Sequence, residues 1–200
     1  VTYMWDDGSA IAYCPMSDYG YPLDFRGVIQ HEAGGHGFGK LGDEYIYHNA
    51  FIQACGCTCC PHAYELMSAQ SKGWFQNLSL TGKMSDVPWR NFIFHEKYSG
   101  FVDIFEGGYM HSRGVFRSEQ NSCMNNEIPY YSTISRYEIV KRIMEYAGEP
   151  FSFDKFVEND IVEVVAETAA TKDGNTGMDS RSASMNSHEP VFMGERKTLR

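Results

Sequence analysis

Apolar positions recur with a helical period in three stretches of this chain and alternate in one. Asp6-Asp7-Gly8 reads as a turn, and Ser9-Ala10-Ile11-Ala12-Tyr13 after it as a short strand. Residues 17–22 form a Gly/Pro/Asp loop. A helix is expected to start at Asp24, a good N-cap, and to run through Phe25, Val28, Ile29 and two histidines until Gly37 and Gly39 break it. From Asp43 to Cys60 the chain is aromatic and irregular, and a second helix is expected over Ala63–Lys72. Residues 73–122 mix Trp, Gly and Pro with short apolar runs, so loops should dominate there. The third helix spans Ser135–Ala147, with Ile139, Val140, Ile143 and Met144 on one face, and Gly148-Glu149-Pro150 stops it. After Glu167 the composition turns to Ser, Asn, Thr, Asp and Lys. The expected organisation is one domain over residues 1–160 and a polar, mobile tail or connector over 161–200, which buries too little to offset its ordering entropy.

Composition narrows the partners. Two hundred residues with 42% hydrophobic and 14% aromatic content suit one folded domain with a sizeable core. A formal charge of −9 disfavours nucleic acid and anionic membrane surfaces. No apolar run approaches the roughly 18–20 residues of a membrane span, and Val1–Asp7 has no signal-peptide pattern. The first apolar segment begins almost at residue one, so the chain is expected to be cut from something longer. Six cysteines, four of them in Cys55–Cys60, are expected to form disulfides or stay as buried thiols in an oxidising compartment; a structural metal site using His62 is the alternative.

The chemistry concentrates in HEAGGHGFGKLGDEY, beginning at His31. A catalytic zinc needs three neutral or anionic ligands and one open position, and two histidines on one helical turn beside a glutamate can provide most of this. Glu32 is then not a ligand but the base that takes a proton from water whose pKa the metal has lowered. The spacing is unusual, because His31 and His36 are five apart. On an α-helix that turns the second side chain away by roughly 140°, against about 40° for a spacing of four. A π-turn at Gly34-Gly35 absorbs the extra residue, and adjacent glycines tolerate the distortion best.

Gly39, three residues after His36, followed by Asp43-Glu44, resembles the metzincin clan of zinc peptidases, whose third ligand follows a sharp turn at such a glycine. The longer form ending in DEY is similar to the IgA peptidase family of zinc metallopeptidases, known from gut bacteria. The resemblance implies an α+β zincin catalytic domain whose upstream sheet is incomplete in this chain. It implies a Zn2+ cofactor held by His31, His36 and Asp43, with Glu44, His48, His95 and His111 as lesser candidates for the third ligand. Glu44 could instead hold a histidine in its metal-binding tautomer. Residues 121–126, Asn-Ser-Cys-Met-Asn-Asn, look like the clan's Met-turn, centred on Met124 and leading into the last helix. Tyr131, just beyond, takes the position of a tyrosine that approaches the metal or the oxyanion in related peptidases; packing is its plainer role, and Tyr130 shares it.

The function expected is a zinc endopeptidase acting on a secreted or host protein or glycoprotein, itself secreted, periplasmic or on the cell surface. The alternative is a non-catalytic, metallopeptidase-like binding module, favoured by the extra residue between the histidines and opposed by the intact Glu32. A zinc deacetylase or amidase is a weaker third reading, distinguished by a closed pocket in place of an open groove.

Overall fold

The computed structural model describes residues 1–16, 20, 24–52, 61–162 and 190–194, with the backbone alone for 48–50. The fold is mixed α+β, with two small sheets and several helices. Strand β1 (Thr2–Met4) lies between β2 (Ala10–Ala12), antiparallel to it, and β7 (Val191–Phe192), parallel to it. The Asp6-Asp7-Gly8 turn joins the first pair, with Gly8 at φ 83°. Within the stretch expected to be a polar tail or connector, Val191 and Phe192 pair with Tyr3 and Met4, and Phe192 packs on the core. A short apolar run inside a polar stretch suffices for that.

The second sheet centres on β6 (Met110–Arg117), which pairs in parallel with β3 (Ile46–Phe51) and antiparallel with β4 (Leu78–Ser79) and β5 (Phe105–Gly108). Strand β3 is a correction to the irregular Asp43–Cys60 expected from sequence, whereas turns and loops do predominate over residues 73–122, with β4, β5 and β6 set among them. Their pairing partners lie far apart in sequence and their alternation is interrupted by bulges and by Gly107, Gly108 and Gly114. Phe105–Gly108 is the antiparallel partner of β6.

Helix α1 (Phe25–Ile29) starts where expected, with the Asp24 carboxylate accepting from Arg26 N at 3.0 Å, and runs without a break into a π-helix over Gln30–Gly39. Helix α2 (Pro61–Ser71) buries Ala63, Leu66 and Ala69 against Trp74, Phe75, Leu78, Tyr109 and Val115 under the second sheet. A second cluster joins α3 (Arg90–Ile93) to α5 (Thr133–Ala147) and α6 (Phe153–Asn159) through Trp89, Phe92, Tyr98, Ile134 and Phe156. The single turn α4 (Cys123–Asn126) precedes α5 and packs against the π-helix.

Ser132 caps α5, its Oγ 3.3 Å from Ser135 N, and Gly148 ends the helix at φ 70°. Ser132→Ala is expected to lower unfolding stability by about 1 kcal/mol, because an N-terminal amide loses its acceptor in a buried place. A denaturant midpoint unchanged from the parent would contradict this.

Candidate metal centre

The histidine spacing is met by the backbone as the glycines suggested, though over more residues than one bulge. In the π-helix residues five apart stack on one face, so His31 and His36 point the same way. Two neighbours hold the segment close. A Cβ on Gly34 would fall on the Tyr131 hydroxyl, and one on Gly35 on the Met124 sulfur, so only glycine admits both contacts. The helix ends at Gly39, as expected, but Gly39 does not make the turn. The sharp turn is made by Lys40, left-handed at φ 55° and ψ 40°, whose N–H donates to Gly35 O. Gly39 is needed for room instead, since a Cβ there would press on Ile139.

Beyond Lys40 the chain brings Asp43 back to the histidines. His31 Nε2 lies 3.0 Å from Asp43 Oδ1 and 3.1 Å from His36 Nε2, and His36 Nε2 lies 3.1 Å from the same oxygen. All three residues are fully buried, and they form the only group of three or more potential metal ligands found among the described residues. Each imidazole is oriented from behind: His31 Nδ1–H donates to Cys123 O at 2.9 Å, and His36 Nδ1–H donates to Leu41 O at 2.7 Å. With Nδ1 protonated, a neutral imidazole presents a lone pair at Nε2. Two such lone pairs and a carboxylate oxygen therefore face one point, an arrangement that needs a proton or a cation between them. Zinc bonds of about 2.0–2.2 Å at tetrahedral angles separate donor atoms by about 3.3–3.6 Å, within a few tenths of what is found. The residues fit a divalent metal.

Electrostatics agree with that fit. Burial pushes His31 down, but the Asp43 carboxylate and then Glu32 outweigh it and raise His31 to about 9. Burial pushes Asp43 up, and the His36 and His31 imidazoles more than reverse this, holding its carboxyl well below the usual range. Without metal, His31 is therefore expected to hold a proton that a metal must displace. Zinc uptake at pH 7 should release that proton, and affinity should fall as the pH is lowered. Calorimetry in buffers of different ionisation enthalpy measures the release; heats independent of the buffer would contradict it.

Glu32, fully buried beside His31, stands outside the three-residue cluster. Thr2 Oγ1 lies 2.8 Å from its Oε2 and 2.9 Å from its backbone oxygen. Met124 lies against Gly35, and His31 rests near-parallel to Tyr45 at 6.2 Å between ring centres. Tyr131 Oη donates to Gln30 O at 2.5 Å, beside the π-helix. Burial pushes the Cys123 thiol up, so it stays neutral, and its carbonyl rather than its sulfur serves the site.

The lesser third-ligand candidates lie elsewhere. Glu44 does not hold a histidine: it accepts from Ser122 Oγ and, at 2.9 Å, from Asn77 Nδ2. Burial raises Glu44 to about 7 against the pull of those two hydrogen bonds. His95 packs on Tyr98 and Phe153, and His111 pairs with His62 at 2.9 Å. His48 is placed by its backbone opposite His111 in the β3–β6 register. Cys14 and Cys123 are free thiols, while the Cys55–Cys60 cluster lies outside the described residues. The orienting carbonyls of Cys123 and Leu41 and the contacts of Thr2 and Asn77 had no signal in the sequence, since a backbone acceptor looks the same at every residue. No family model matches this sequence, and no curated protein matches it either.

Proposed function

We propose that this chain carries a zinc-dependent endopeptidase site of metzincin-like, IgA-peptidase-like kind, acting on a secreted or host protein or glycoprotein. The observation that carries the reading is the convergence of His31 Nε2, His36 Nε2 and Asp43 Oδ1 within 3.1 Å of one another, with Glu32 next in sequence but outside the group. Zinc bound there would supply Lewis-acid polarisation of the scissile carbonyl and lower the pKa of the attacking water. The chain's own residues do the rest. His31 and His36 present Nε2 because Cys123 and Leu41 hold their Nδ1 protons. Glu32 takes the proton from the attacking water at a carboxylate oxygen and passes it to the leaving amine. Tyr131 is the candidate donor to the oxygen that gains charge, a role for which its hydroxyl must leave the Gln30 carbonyl. No helix among the described residues is long and apolar enough to cross a membrane. A secreted or cell-surface location rests on the resemblance.

One observation favours a non-catalytic binding module instead: the Glu32 carboxylate is already engaged by the Thr2 hydroxyl. The test is elemental analysis of the purified chain beside His36→Ala, followed by hydrolysis of a quenched peptide library. One zinc per parent chain, absent from the variant, with cleavage lost to a chelator and restored by zinc, is the expected result. Zinc without cleavage selects the binding module. Iron in place of zinc, or no metal, overturns the proposal.

A further inference from the structure

The segment that delivers Asp43 is gripped from one side by a single buried side chain. Gly42 N–H donates to Asn77 Oδ1 at 2.8 Å, and Asn77 Nδ2 donates to Gly42 O at 2.8 Å. The amide thus pairs with both backbone polar groups of Gly42, much as a neighbouring strand would. The same Nδ2 group reaches Glu44 Oε1 at 2.9 Å, so the residues on either side of Asp43 are both held by Asn77. Asn77 is fully buried and sits in a turn fixed by Phe75 N to Lys40 O at 2.7 Å and Leu78 N to Phe75 O at 3.1 Å. Gly42 lies so close to Phe75 and Leu78 that a Cβ would overlap Leu78.

The grip continues into the other half of the site. Glu44 accepts from Ser122 Oγ, and Glu44 N donates to Met124 O at 2.8 Å. Ser122 Oγ accepts from Met124 N at 3.1 Å, and the next carbonyl, that of Cys123, receives the His31 Nδ1 proton. A chain of hydrogen bonds therefore runs from Asn77 through Glu44 to the residues that orient His31. The metal-site residues Asp43 and His31 are both set by it, while Asn77 touches neither.

We infer that Asn77 is a positioning residue for the metal centre, holding Asp43 at the distance from His31 and His36 that a metal requires. The inference rests on the three-residue metal site proposed above. Residues that orient metal ligands commonly contribute about 10–100-fold to metal affinity. Gln70 offers a matched control, because its Nε2 donates to Leu78 O at 2.8 Å in the same turn without reaching Gly42 or Glu44.

The experiment compares the whole parent chain with Asn77→Ala and Gln70→Ala. It reads the zinc dissociation constant by chelator competition, the visible spectrum with Co2+ in place of zinc, and the thermal midpoint without metal. Asn77→Ala is expected to weaken zinc about 10–100-fold and to change the Co2+ spectrum, whereas Gln70→Ala lowers the thermal midpoint but keeps affinity and spectrum within twofold of the parent. Asn77→Ser, whose hydroxyl can still serve the Gly42 N–H, covers the case in which Asn77→Ala does not fold, and should fall between the two. Parent-like affinity and spectrum in the Asn77 variants overturn the positioning role while leaving the metal site standing. Equal losses in Gln70→Ala also overturn it, by making the effect one of stability. A parent chain that binds neither metal overturns both readings.

Discussion

In Glu32→Gln the zinc content is expected to equal that of the parent, while peptide hydrolysis falls by at least about 10²–10⁴-fold. The two effects separate because Glu32 lies beside the ligands without joining them. Gln keeps the shape and can still accept from the Thr2 hydroxyl, so the packing that Glu32 provides under β1 survives. What it loses is the capacity to hold a proton between attack and departure of the amine. Side-by-side metal analysis and single-turnover cleavage measure both halves. Cleavage at the parent rate would remove Glu32 from the mechanism, and loss of zinc together with activity would make it a structural member of the site.

Asp43→Ala should weaken zinc by more than the about 10–100-fold typical of residues that only orient ligands. It removes the one anionic donor and leaves the two Nε2 atoms facing each other 3.1 Å apart with no negative charge between them. Glu44, the next residue in sequence, is already bound to Ser122 and Asn77. Competition against a chelator of known affinity checks this, with circular dichroism to establish that the variant is folded. Unchanged affinity would mean that the third ligand lies outside the described residues or that the metal sits elsewhere.

The part of this site that could be read from sequence was the part carried by side-chain identity and spacing. Two histidines five apart around paired glycines demanded a π-turn, and the structure has one, extended to ten residues. Asp24 marked a helix start because its side chain does the capping, whereas the last long helix begins at Thr133, two residues before the expected Ser135, capped by Ser132. The helix end at Gly39 was legible, but the left-handed turn after it falls on Lys40 rather than on a glycine, and Gly39 itself is needed for space. Strand β6 stayed hidden because its partners come from residues 46–51, 78–79 and 105–108, a pairing no local pattern encodes. Asn77 was invisible for the same reason: its importance lies in what folds over it.

The π-helix also changes what a relative of this chain should look like. A residue inserted into an α-helix rotates everything after it by about 100° and would carry Lys40, Asp43 and the strand beyond away from the site. Here the whole ten-residue stretch is wound as a π-helix, and His31 and His36 face one point despite a spacing of five. A spacing of four on an α-helix and a spacing of five on a π-helix can therefore present the same pair of imidazoles through different windings of the backbone.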